Sequence, residues 1–264
     1  MINLQIMEVG MARFDLTDFE WPVISPRLPN KPRGVARVDD RRVLNGIFWR
    51  LRTGAPWADI PERYGPHTTC VNRFNRWRKA AVWDRLLEAV SKAYDGDIQM
   101  IDASSIRVHR HAANAKKRRS GCMGRSRGGL TTKIHALVDA AGLPLALKLT
   151  EGQAHDGRSA RDMLGALTEG QTLLAGRADD SDELRKSLDE RGAWANIKPM
   201  SNRKNVPAFS SYLYRYRNLV ERLFNKIKHY RAVATRYDKT TDNFLAGVKL
   251  ASLRIWMRFN ESMA

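Results

Sequence analysis

The sequence predicts an α/β fold, a mixed sheet flanked by helices and preceded by a small all-helical, helix-turn-helix-like domain. Three observations predict it. In the first third, Val43, Ile47, Phe48 and Leu51 recur at helical spacing. From Ile98 onward, short apolar runs alternate with amphipathic segments in the order strand, strand, strand, helix, strand, helix, strand, helix. With 264 residues, 43% of them hydrophobic, the chain can fill one large core or a small and a medium one.

Taken in order, Leu16 to Arg37 is rich in proline and arginine and reads as a short helix start and a loop. VDDRRVLNGIFWRLRTGAPW reads as a helix stopped by Gly54 and Pro56. ADIPERYGP is a short turn or helical piece, and HTTCVNRFNRWRKAAVWDRLLEAVSKAY reads as two helices. The first of them, near Thr68 to Lys79, presents Arg73, Arg76 and Arg78. Helix, short helix, basic helix is how a helix-turn-helix reads in sequence. A small bundle with an arginine-rich solvent face reads the same way. The five tryptophans Trp21, Trp49, Trp57, Trp77 and Trp83 are expected in its core rather than as stacking platforms.

IQMIDASSI is a short buried strand. Arg107, Arg110, Lys116, Lys117, Arg118, Arg119, Arg125 and Arg127 follow within Arg107 to Arg127 with no acid among them, and the glycines at its end make it a loop. LTTKIHALVDA and PLALKLTEG read as a hairpin turning at Gly142-Leu143. GRSARDMLGAL is helical, TLLAG a strand, SDELRKSLDERG a helix and WANIKP a strand. Leu219, Val220, Leu223, Phe224 and Ile227 mark one long amphipathic helix from Tyr212 to Tyr230, and DNFLAGVKLASLRIWMRF is the last helix. The units are therefore 11–93, helical, and 97–260, α/β, with the boundary near Ala93 to Asp97; Met11 is a plausible internal start.

Charge narrows the function. Forty-six basic against 28 acidic residues give a formal net charge of +18, and a polyanion is the natural partner. No apolar run is long enough to span a bilayer and MINLQIMEVG lacks the form of a signal peptide, so membrane attachment is not expected. Cys70 and Cys122 have no metal-ligand spacing and read as reduced thiols in a cytoplasmic protein. His109, His111, His135 and His155 form no zinc-like pattern, although His155-Asp156 follows a strand and could sit close to a site.

Two features could carry chemistry. Asp102 lies inside an apolar strand, where a charge is costly unless it binds something; it could equally cap the turn through Ser104 or Ser105. Tyr214, Arg217, Glu221 and Lys228, at spacings of three, four and seven, fall near one helix face. Ordinary pairing of Arg217 with Glu221 on a solvated helix gives the same stripe.

At these residues a resemblance enters. IDASSIRVHRHAA, GRSRGGLTTKIHALVDAAGLPL, LTEGQAHD and YRYRNLVERLFNKIKHYRAVATRYDK, with LTDFEWPVISPRLP and LNGIFWRLRTGAPWADIPERYGP before them, resemble transposases of bacterial insertion sequences. The group is the DDE transposases, whose catalytic domain is ribonuclease H-like, and the match runs roughly from Phe14 to Arg258. The resemblance implies two divalent ions, Mg²⁺ or Mn²⁺, roughly 4 Å apart on three carboxylates, serving phosphodiester cleavage and strand transfer. It implies Asp102 as the first carboxylate and Glu221 as the last, in a motif with Tyr214, Arg217 and Lys228, the last two near DNA phosphates. The implied partners are double-stranded DNA at terminal inverted repeats and target DNA, with two protomers on the DNA.

The middle carboxylate falls on Gly176. Where the family usually has Asp, a basic residue, a small residue and Tyr-Asp, this chain has Gly176, Arg177, Ala178, Asp179 and Asp180. Either the copy has decayed, or Asp179 or Asp180 substitutes as ligand. Decay is the better expectation, because ligands must be held to about half an ångström. The rivals are a non-catalytic DNA-binding relic that occupies or represses element ends, and an RNA-binding or ribonuclease protein, which charge alone does not separate from the rest.

Overall fold

The computed structural model describes residues 12–29, 39–92, 96–113 and 121–264. The sequence-predicted phosphate contacts Lys116, Lys117, Arg118 and Arg119 lie outside the described residues, as do Met11 and the start of the boundary at Ala93.

Helices open the chain: α1 (Glu20–Ile24), α2 (Asp40–Thr53), α3 (His67–Lys79) and α4 (Val82–Ser91). The Asp39 carboxylate caps α2 by accepting the Arg41 N–H, and Gly54 ends it in the left-handed region, with φ 73°. No side chain fits at that glycine, since a Cβ would stand 2.9 Å from Cβ of Arg231. Trp77 and Trp83 are buried and meet edge-to-face at 5.3 Å, while Trp21, Trp49 and Trp57 pack half-buried against the same core. The tryptophans are therefore core residues.

The α/β part runs β1 (Ile98–Val108), α5 (Arg110–Ala113), β2 (Gly124–Ser126), β3 (Gly129–Val138), β4 (Pro144–Glu151), α6 (Asp156–Met163) and β5 (Thr172–Ala175). It continues with α7 (Asp182–Asp189), β6 (Trp194–Ile197), α8 (Ser211–Tyr214), α9 (Asn218–Lys228), α10 (Arg231–Ala234), β7 (Thr235–Arg236) and α11 (Thr241–Met263). The sheet order is β2-β3-β1-β5-β6, with β4 continuing along β3 beyond β2 and β7 continuing along β1 beyond β5. β1 is antiparallel to β3 and parallel to β5 and β7, so the sheet is mixed as expected.

Pairing leaves one gap that positions the site. On one edge, β1 is paired by β5 at Ile98 to Met100 and by β7 only at Arg107 and Val108. Asp102 lies in the unpaired stretch between them. Met100 is opposite Leu174, so Asp102 and Gly176, each two residues further on, stand at one level and on one face. That face carries the large core built with α2, α3, α4, α9 and α11. Ile101, Leu173 and Ala175 face the other way, into a smaller core with α6 and α7.

Two expectations are corrected. Arg107 belongs to β1, Arg110 to α5 and Arg125 to β2, so the described ends of the predicted basic loop are structured. The single helix from Tyr212 to Tyr230 is interrupted: Arg215–Arg217 forms a 3-10 turn between α8 and α9. All its residues stay right-handed, but the tighter winding of about three residues per turn shifts which side chains share a face.

Candidate active site

Asp102 reaches the site from the open edge of β1, and the 3-10 turn and first turn of α9 bring Arg217 and Glu221 to meet it. Nη2 of Arg217 lies 2.7 Å from Oδ2 of Asp102, and its Nη1 donates to Oε1 of Glu221 at 2.9 Å. One guanidinium thus bridges the two carboxylates that the sequence singled out. Tyr214 joins them, with its ring centroid 5.9 Å from Cζ of Arg217 and 5.4 Å from Nζ of Lys198. Lys228 is not brought in: it sits in the last turn of α9, roughly 10 Å further along the axis, with no ion pair to the acids.

Gly176 faces the same guanidinium. A Cβ there would stand 3.2 Å from Nη2 of Arg217 and 3.5 Å from its Nε. That Nε is buried and finds no hydrogen-bond acceptor among the described residues. A buried N–H without a partner is uncommon and calls for a cause. Position 176 is close enough to reach it and carries no side chain that could supply an acceptor.

The two replacement acids differ. Asp180 is committed elsewhere: its Oδ1 accepts from Arg185 at 2.9 Å, and its Oδ2 from Arg203 and from the Met200 N–H, each at 2.7 Å. These partners hold its carboxyl below the usual range despite its burial. It anchors the segment after β5, with both of its oxygens engaged. Asp179, buried in the Arg177–Asp179 turn, lies close enough to Asp102 and Asp156 to feel both charges. Burial, then Asp156 and Asp102, push its carboxyl up to about 7, with Arg217 opposing. Burial also raises Asp102, against the pull of Arg217. Asp156, at the start of α6, accepts from Nζ of Lys133 at 2.8 Å. Its sequence neighbour His155 only receives the Gly157 N–H, at 3.2 Å.

DDE transposases generally use divalent metal ions. The residues present fall short of a three-carboxylate site as they stand. Arg217 takes one oxygen of Asp102 and one of Glu221, position 176 offers no oxygen, and Asp180 is engaged by Arg185, Arg203 and the Met200 N–H. Asp179, the remaining nearby acid, has its carboxyl pushed up to about 7 by burial and by Asp156 and Asp102. Among the described residues no group of three or more His, Cys, Asp or Glu is arranged to hold a metal ion.

The predicted DNA contacts divide. Arg73 is buried against Trp77, at 5.1 Å from its ring, and ion-paired to Asp40, so it holds α3 to α2 instead of facing a ligand. Arg78 pairs with Asp242 at 3.1 Å and ties α3 to α11. Arg76, Arg107, Arg110, Arg125 and Arg127 are exposed. Both cysteines are free, and no described helix is long and apolar enough to cross a membrane. Sequence reasoning missed Lys133, the partner of Asp156; a lone cation within the apolar run of β3 was its only signal.

The fold is a ribonuclease H-like mixed sheet with Asp102 on its central strand β1 and Glu221 on α9, and similarity to known proteins makes the class specific. The model described as "Transposase DDE domain" matches residues 93–255, and that described as "Putative transposase of IS4/5 family" matches residues 16–87. The chain belongs to the DDE transposase family. It is 41% identical over 130 residues, 49% of its length, to the whole of a putative transposase for insertion sequence element IS6501 from Brucella ovis. It is 37% identical over 112 residues, 37% of its length, to 76% of a protein of insertion element IS402 from Burkholderia cepacia. In fold, 91% of the chain matches 71% of the piggyBac transposase in its synaptic complex with hairpin DNA, with TM-score 0.56 and 11% identity.

Proposed function

We propose that this transposase binds the terminal inverted repeats of its element as a dimer and that its catalytic centre is disabled. The observation that carries the second half is the bridge from Asp102 through Arg217 to Glu221, with Gly176 facing the one unpartnered nitrogen of that guanidinium. In an intact centre, Asp102, Glu221 and an acid at position 176 would hold Mg²⁺ or Mn²⁺, two ions by family resemblance. In this chain the same region holds an internal cation.

Binding rests on the surplus of basic residues and on exposed arginines at both ends of the 107–127 segment. The N-terminal helices would then contribute through Arg76, and the segment from Arg107 to Arg127 would grip phosphates. The undescribed lysines and arginines at 116–119 belong to the same proposal. Such binding weakens steeply with salt.

Cleavage of a duplex ending in the element's own repeat, by the native chain and by Gly176→Asp, tests the reading. Nicking in the variant and at most a trace in the native chain is the expected result. Ordinary nicking by the native chain would mean that Asp179 substitutes, and the disabled-centre reading would fail.

A further inference from the structure

Away from Asp102, two contiguous cavities of about 320 and 130 Å³ open between α2, the end of α9 and α11, sharing Arg52, Tyr230 and Arg258. Five cations line them, namely Arg13, Arg52, Lys226, Arg254 and Arg258, and no described lining residue is acidic. Along α9, Lys226 and His229 stand at the opposite end from Glu221.

Two of the cations are already engaged. Arg254 donates from Nε to one oxygen of the buried Glu20 and from Nη2 to the other, both at 3.1 Å, and Nη1 and Nη2 also donate to the Phe14 and Asp15 carbonyls respectively. Arg258 lies 3.6 Å from Glu20. Arg13 and Arg52 meet rings instead: Arg52 lies 5.3 Å from the centroid of Tyr230 and 5.8 Å from that of Phe14, with Arg13 at 5.7 Å from the latter. A guanidinium stacked on a ring keeps its N–H edge available for an anion and is held in place meanwhile.

Helix ends explain part of this charge and not all of it. Arg52 and Lys226 lie in the last turns of α2 and α9, where a cation offsets the negative end of the helix dipole. Five cations less Glu20 leave a surplus of four. Two helix ends at about half a charge each reduce it to roughly three. Like charges gathered at that density, with preset guanidinium forks and a floor fixed by Glu20, suit a phosphate group.

We infer that this cleft is a phosphate-binding site, separate from the Asp102 site, whose ligand is the DNA backbone. The choice of DNA over a free phosphate compound rests on the reading of the chain as an end-binding transposase. The site would place a second stretch of duplex on the far end of α9 from Glu221.

The test compares the full chain with the double variant Arg52→Gln, Lys226→Gln, in duplex binding across a salt series and in thermal stabilisation by pyrophosphate. The expected result is a salt slope lower by roughly two in the variant, at about 0.9 for each phosphate no longer neutralised, together with disappearance of the pyrophosphate stabilisation. If only the stabilisation disappears, the site stands and its ligand is a free phosphate compound. Unchanged slope and unchanged stabilisation overturn the inference. A native chain that binds no duplex sinks the end-binding reading, and the pyrophosphate arm still decides on the cleft. Should the double variant fail to fold, Lys226→Gln alone, at an exposed position, carries the same test with a slope change of about 0.9.

Discussion

An arginine between two carboxylates answers the electrostatic need that a divalent cation would answer. Asp102 is half-withdrawn from water, and without a positive neighbour its charge would be expensive. Arg217 supplies that neighbour and binds Glu221 with its other terminal nitrogen. Asp179 has no such partner. Its folded value of about 7 lies above the ordinary 3.8, so the folded chain holds this proton more tightly than the unfolded chain. The sign follows: its favourable contribution is full below about 4 and is lost as pH rises through about 7. Asp179→Asn should therefore stabilise the protein at pH 8, on the order of 2–4 kcal/mol, and the gain should shrink steadily as pH falls toward 4. Urea unfolding of both proteins across that range checks it, and a gain independent of pH would contradict it. At this scale the sequence was informative about identity and poor about partners. Asp102, Glu221 and Gly176, which the structure brings around Arg217, were all singled out from motifs. That Asp180 is consumed by Arg185 and Arg203 was not, because the second of these partners arrives from beyond β6.

Among the elements, the segment that carries Tyr214 and Arg217 is held to the sheet by Asp102 at Arg217 and by Asn196 at its start. The fully buried Asn196 of β6 accepts the Ser210 N–H at 2.8 Å and donates to the Ser210 carbonyl at 3.2 Å. Ser210 in turn caps α8 by accepting the Leu213 N–H. Asn196→Ala breaks both hydrogen bonds and should cost roughly 2 kcal/mol, with hydrogen exchange rising first in α8 and the following 3-10 turn. Uniform exchange with no loss of stability would show that Asn196 does not hold this segment. Periodicity had merged α8, the turn and α9 into one helix, since all three are right-handed and amphipathic. The tightening at Arg215–Arg217 depends on tertiary contacts that no local pattern records. The strands were easier to read, because β1, β3, β4 and β5 are apolar runs bounded by turn residues. What pattern reading could not give was the gap in the pairing of β1, which arises from the distant β7.

Over the whole molecule, the helical N-terminal part and the α/β part are packed into one core, with Phe48, Trp77, Leu86, Leu223 and Phe244 in a single cluster. The buried Glu20–Arg254 pair fastens the first described helix to the last. Glu20→Ala would leave a buried guanidinium without its counter-ion and should cost about 3–5 kcal/mol, read as a lower midpoint in a single cooperative transition. Two separate transitions in the native chain would contradict a shared core. The net charge of +18 distributes unevenly over this body: several arginines are spent internally, as at Arg73, Arg236 and Arg254, while others stay exposed for a polyanion. Composition alone therefore overstates the surface available to DNA. The central claim concerns what occupies the space between Asp102 and Glu221. Anomalous diffraction from crystals of the native chain soaked in MnCl₂ measures it directly. The account predicts no manganese between these two carboxylates, with the Arg217 guanidinium still bridging them. A manganese ion within about 2 Å of both would contradict it.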